Sequence, residues 1–218
     1  MAAEAIRSLI ASGELQGGQR LVEAQIAERL TVSRGPVRDA FRQLKEEGLL
    51  EDIPRRGTYV MSLTADDVRD LLDLRAGLET RAARLVIERR GTEDLGGLEA
   101  ALASMRSASA AGDSAAMGAA DYAFHEALCD LSGSSRLHSV FVRYQTELRV
   151  LLRSDEERLY AAGVDVTREH EVLLDALKTG DRQQAEDAFR SHVEAARDRL
   201  ADQLTTQSHG RSRRRIRR

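Results

Sequence analysis

From Ser62 onward the apolar residues recur with the period of a helix, and they keep that period through most of what remains of the 218-residue chain. The pattern predicts six helices, over approximately 64–90, 93–111, 113–132, 134–160, 165–179 and 181–204. Gly91, Gly112–Asp113, Ser132–Gly133–Ser134, Gly163 and Gly180–Asp181 separate them, and breaks this short favour antiparallel neighbours in a bundle. Two prolines, no tryptophan and 4% aromatic residues leave little material for an all-β sandwich, whereas Ala, Leu, Arg and Glu are abundant. The fold class expected is therefore mainly α. No apolar run approaches the roughly 20 residues needed to span a bilayer, and Glu4, Arg7 and Glu14 interrupt what would be a leader peptide. A soluble, cytoplasmic protein is expected, and the single Cys129 excludes an internal disulfide.

Residues 1–62 read differently. A short helix over 2–12 carries Ile6, Leu9 and Ile10 on one side, a Gly-rich turn follows around Gly13, Gly17 and Gly18, and a second helix runs from Glu23 to Leu30. Thr31 and Ser33 open a third helix, which has Pro36 in its first turn, Val37, Phe41 and Leu44 on its apolar face, and its end near Gly48. Leu49–Ile53 and Thr58–Met61, joined by a basic turn at Pro54–Gly57, read as a hairpin. Three helices and a hairpin outline a winged helix-turn-helix. Arg34, Arg38 and Arg42 are spaced by four, opposite the apolar face, and Ser33–Lys45 has a net charge of +3. Ser33 can cap that helix or offer its hydroxyl to a phosphate, while Arg55, Arg56 and Gly57 form the wing tip.

The formal charge of -3 hides this division. Residues 1–60 balance nine Lys/Arg against nine Asp/Glu, residues 61–210 are acidic by nine, and residues 211–218 hold six arginines. The tail over 206–218 has no apolar periodicity and is expected to be disordered.

Residues 9–60 closely resemble the DNA-binding domain of the GntR family of bacterial transcriptional regulators, through LIASGELQGGQRLVEAQIAERLTVSRGPVRDAFRQLKEEGLL and RRGTYV. Gly35 and Phe41 depart from the usual threonine and leucine. The resemblance implies operator contacts at Arg34, Arg38 and Gly57, with Arg55 and Arg56 near backbone or minor groove. An arginine either pairs with a guanine edge or clamps phosphate, and the sequence leaves both roles open.

Within residues 63–205, Asp121 and His125 lie four apart and share a helix face. His170 and His192 stand ten and twelve residues from the Gly180 turn, level with one another if their helices are antiparallel. One carboxylate and three imidazoles suit Zn²⁺ or Ni²⁺ first, then Mn²⁺ or Fe²⁺, with positions left for water or a ligand. Residues 64–204 resemble the helical FCD ligand-binding domain of the FadR subfamily, whose metal-binding members have residues matching Asp121, His125, His170 and His192. Six helices resemble the shorter VanR-like branch, and Ser134 stands where the family commonly has asparagine. Arg75, Arg143 and Arg149 are candidate partners for an anionic effector, against the plainer alternative of pairing with Glu79 or Glu147 one turn on.

The expected protein is a homodimeric, metabolite-responsive repressor, released from a palindromic operator by a small carboxylate bound near a metal, and not an enzyme. Two alternatives remain at this point. One is a metal-dependent enzyme domain fused to a DNA-binding module, and the other an architectural DNA-binding dimer without an effector.

Overall fold

The structure, a computed structural model, describes residues 2–62, 64–91, 94–152 and 165–215, and their side chains except those of 146, 147, 149–152 and 206–215. Twelve elements lie among the described residues: α1 (Ala2–Ala11), β1 (Arg20–Leu21), α2 (Glu23–Leu30), α3 (Arg34–Glu46), β2 (Leu50–Ile53), β3 (Gly57–Val60), α4 (Ala65–Arg90), α5 (Gly96–Ala111), α6 (Ser114–Leu131), α7 (Ser135–Leu152), α8 (Val166–Lys178) and α9 (Arg182–Arg215). They divide into two units, one of residues 2–62 with 145–152 and the other of 64–144 with 165–215.

In the first unit, α3 buries Val37, Ala40, Phe41 and Leu44 against Ile6 and Ile10 of α1, Ile26 and Ala27 of α2, and Leu49–Leu50. Ser33 occupies the N-cap position in extended conformation, but its side chain makes no capping bond, so its hydroxyl stays uncommitted. The turn between α2 and α3 passes through Thr31 at φ 56°, a left-handed conformation that costs a β-branched residue of order 1–2 kcal/mol. The expected hairpin is present with its strands at Leu50–Ile53 and Gly57–Val60. The sequence reading missed β1, which pairs Arg20 with Tyr59 and Leu21 with Thr58, so that β3 is the central strand of an antiparallel β1-β3-β2 sheet. Two residues are too short for alternation to show, and β1 exists through its pairing.

The second unit is a helical bundle of α4, α5, α6, α7 as far as residue 144, α8 and α9. α4 starts at a capping box between Thr64 and Asp67, and packs along α9 and against α6. α5 packs on α6 and α8. Phe124, Phe141, Phe189, Leu98, Met105, Leu128, Leu173 and Leu177 fill the core. Two boundaries differ from expectation. α7 is described to Leu152, and the rest of the helix expected to 160 lies outside the described residues. α9 stays helical to Arg215, past the boundary at 205 where the disordered tail was expected to begin. Propagating an existing helix costs far less than nucleating one, and arginine is a good helix former.

Candidate functional site

Two regions gather functional side chains, one in each unit. On the first, Arg34, Arg38 and Arg42 stand on the exposed side of α3. Arg38 turns its Nε and Nη2 edge to Glu23 of α2, at 3.2–3.4 Å, which raises its already high pKa through the hydrogen bond. Arg42 meets Asp39 at 3.2 Å. Arg34, at the first turn of α3, has no ion pair among the described residues.

The wing is tied from below. Lys45 of α3 and Thr58 of β3 both reach Asp52 at 2.6 Å, and the lysine bond is the main cause holding this carboxyl below its ordinary range. At the tip Arg55 has φ 64° and Gly57 φ 108°, and Arg56 lies 5.7 Å over the Tyr59 ring. All seven residues expected to face DNA are exposed, on α3, at its N-cap or on the wing.

In the second unit, the four expected metal ligands come together from three helices. α6 carries Asp121 and His125, α8 His170, and α9 His192. Asp121 Oδ1 lies 3.2 Å from His170 Nε2 and 3.8 Å from His125 Nε2, and those two nitrogens are 3.0 Å apart. The His192 ring stacks on His125 at 5.3 Å and stands edge-on to His170 at 4.8 Å. One ligating nitrogen from each histidine fits within 4.8 Å of the others.

The remaining ring nitrogens fix the tautomers. His125 Nδ1 is 2.7 Å from Glu79 Oε2, and His170 Nδ1 is 2.8 Å from the Val166 carbonyl. A carboxylate and a carbonyl accept only, so both Nδ1 atoms donate and, in the neutral rings, both Nε2 lone pairs point at one another. Two lone pairs 3.0 Å apart beside a carboxylate oxygen form an arrangement that a divalent cation turns from repulsive to attractive. His192 is oriented the same way, with Nδ1 3.4 Å from Glu169, itself held by Arg199 at 3.0 and 3.1 Å. The donor set and its supporting shell therefore fit a metal.

Electrostatics support neutral imidazoles and ionised acids. Burial pushes His125 down to about 4 and lowers His192 as well. Burial would raise Glu79, but Arg75 and His125 outweigh it and bring it to about 2. Burial would raise Asp121 as well, but His170, His125 and Arg75 around it outweigh that and pull it below the carboxylate range.

Glu79 is the residue that sequence reasoning missed as part of the site. Spacing along α4 revealed its pairing with Arg75, which is real, Nε to Oε1 at 2.5 Å, but its second bond to His125 crosses between helices. Of the arginines considered for an effector, Arg75 is buried against the cluster, raising the charge felt by His125 and His192. Arg143 is exposed on α7, and none of the described contacts joins it to the histidines. The Arg149 side chain lies outside the described residues.

Known proteins share both units. Residues 1–60 match the model for bacterial regulatory proteins of the gntR family, and residues 70–195 match that for the FCD domain. The chain is 32% identical to the HTH-type transcriptional regulator LutR of Bacillus subtilis (strain 168), over 88% of this chain and 96% of that protein. It is 31% identical to a Paenarthrobacter nicotinovorans protein assigned as the transcriptional repressor of a D-xylose utilization operon, over 85% and 81%. A crystal structure from Rhodococcus sp. RHA1, of a protein described as a transcriptional regulator GntR, superposes with a TM-score of 0.71 at 28% identity, covering 91% of this chain and 94% of that one. Each of these three is described as a regulator of transcription. None of the described helices is long and apolar enough to cross a membrane.

Proposed function

The chain belongs to the GntR family of bacterial regulatory proteins and carries an FCD domain, and from that premise we propose that it is a repressor released from its operator when a small carboxylate binds at a metal in the helical unit. A metabolite-responsive DNA-binding regulator is what the family relation carries by itself. The acid rests on one observation. Arg75 is 6% exposed, its Nε is committed to Glu79, and its Nη2 is buried without a hydrogen-bond partner among the described residues. An unmet buried donor costs about 1–3 kcal/mol, and more when charged, so a ligand oxygen accepting there is strongly favoured.

Asp121, His125, His170 and His192 would hold the cation, Zn²⁺ or Ni²⁺ suiting this donor set ahead of Mn²⁺ or Fe²⁺. The metal would supply a Lewis-acidic anchor for the carboxylate. Arg75 would meet the same anion from α4, in a role that neither Arg143 nor Arg149 is needed to fill. The VanR-like branch of the FadR subfamily remains the assignment, and it rests on the six helices expected from the sequence.

On DNA, a homodimer would present Ser33, Arg34, Arg38 and Arg42 of each α3 to the half-sites of a palindrome, with Arg55, Arg56 and Gly57 along the flanking backbone. The effector acts only through unequal affinity for the DNA-competent and DNA-incompetent forms.

The test is the shift in melting temperature of metal-loaded protein across a panel of carboxylic acids and matched neutral sugars, followed by operator binding at fixed salt. One or more acids should raise the midpoint and weaken DNA binding. Stabilisation by neutral sugars alone would overturn the acid.

A further inference from the structure

Residues 2–62 hold nine cationic side chains and nine acidic ones, yet the pairing among them is uneven. Arg7 pairs with Glu4 and Glu47, Arg29 with Glu14, Arg38 with Glu23, Arg42 with Asp39, and Lys45 with Asp52. Among the described residues, Arg20, Arg34, Arg55 and Arg56 are left without an acid. Arg34 stands on α3, and Arg55 and Arg56 at the wing tip. Arg20 is the member of this set with no part in the interface described so far.

Its position accounts for it. Arg20 lies on β1, directly across from Tyr59 of β3, whose ring Arg56 covers. Its guanidinium extends over Gly57, where a Cβ would sit 3.2 Å from Nε and 3.4 Å from Nη2. The bare Cα of Gly57 is thus the floor on which Arg20 lies, and any larger residue would displace it as well as strain a φ of 108°. The guanidiniums of Arg20 and Arg56, over Gly57 and Tyr59, and the exposed Arg55 of the tip lie on the wing without acids among the described residues, and uncompensated positive charge there attracts the phosphate backbone.

We propose that Arg20 is a DNA-phosphate contact, seated on Gly57 and acting as the third cation of the wing. This rests on the reading of the first unit as a DNA reader, and it extends that reading to a residue outside the helix-turn-helix and the hairpin tip. The ligand is the phosphate backbone of duplex DNA rather than a base edge.

The experiment uses the full chain and a labelled duplex of arbitrary sequence, since binding without sequence preference is almost wholly electrostatic. Affinity is measured by fluorescence anisotropy between about 50 and about 200 mM salt for wild type, Arg20→Gln, Arg20→Met and Arg20→Lys. Both neutral variants keep a stem over Gly57 while removing the charge. Each should bind more weakly, with the slope of log affinity against log salt shallower by about one, so that their disadvantage narrows roughly three- to fourfold across that range. Arg20→Lys should restore the slope, because a point charge suffices for phosphate. An unchanged slope in both neutral variants overturns the proposal, as does a loss that appears only on one sequence. Absence of binding by wild type to any duplex would instead overturn the DNA-reading assignment itself.

Discussion

Each unit contains an arginine–glutamate pair, and the two pairs have opposite characters. Arg38 and Glu23 meet on the surface, with side chains 71% and 35% exposed, whereas Arg75 and Glu79 meet in the interior at 8% and 0%. The surrounding cores differ in the same sense. Every buried residue of 2–62 named in the core is apolar, while the bundle buries Arg75, Glu79, His125 and His170 together. A reader that keeps its chemistry outside can fold independently of what it binds. A sensor that builds charge into its interior accepts a desolvation cost that only partners and ligands offset, so its stability becomes a readout of its ligand state.

Cutting the interior pair gives the largest effect. Glu79→Gln leaves the Arg75 charge buried without its counter-charge and weakens the acceptor for His125, at an expected cost of about 3–5 kcal/mol. In a chain of this size that lowers the melting midpoint by roughly 6–20 °C, measurable by calorimetry. A loss below about 1 kcal/mol would remove the contrast with the surface pair.

Metal should come next. Zn²⁺ at about a hundredfold over its dissociation constant should stabilise the wild type by roughly 2.7 kcal/mol. His192→Ala should lose most of that gain, since it removes one of three converging nitrogens, while its chelator-treated form melts close to chelator-treated wild type. Equal zinc-dependent shifts in the two proteins would argue that His192 is no ligand.

Acid gives a slightly smaller change. His125 is held near 4, below the 6.5 of an unperturbed imidazole, so between these values the unfolded chain binds the additional proton. Stability is then fully present above about pH 6.5 and falls as pH drops toward 4, by about 2 kcal/mol between about pH 7 and about pH 5. The lowered His192 adds in the same direction, and Glu79, held near 2, extends the loss to lower pH. Urea unfolding of chelator-treated protein at the two pH values measures it. Stability independent of pH over that interval would mean that His125 is not kept neutral by burial.

Legibility follows the same division. Local signals were legible directly: the Gly-marked breaks placed the bundle helices, and Ser33, Pro36 and the Val37, Phe41, Leu44 face placed α3. Asp121 with His125 was readable because one turn of helix joins them, and His170 with His192 because their distances from Gly180 mirror one another. What was not legible depends on partners remote in the chain. Glu79 looked like half of an intrahelical pair until α6 placed His125 2.7 Å from its other oxygen. Arg20 looked like part of a glycine-rich turn until β3 gave it a strand partner and Gly57 gave it a floor. The extension of α9 to Arg215 escaped for another reason, since its last turns carry no apolar stripe and continue from helix already formed.

The smallest effect belongs to the surface pair and tests the comparison from its other side. Glu23→Gln should leave the melting midpoint unchanged within error, because exposed pairs lose to solvent nearly what they gain from each other. Its consequence should be on DNA. Glu23 currently occupies the Nε and Nη2 edge of Arg38, the same edge a guanine or a phosphate would take. With the acid neutralised, Arg38 is freed and one negative charge leaves the interface, so affinity for duplexes of any sequence should rise roughly two- to threefold with a steeper dependence on salt. Discrimination between an operator and arbitrary DNA should fall, because Glu23 no longer holds the guanidinium in a single orientation before it docks. A drop in stability comparable to that of Glu79→Gln would show that the outer pair is structural after all, and that the two units differ less in design than their burial implies.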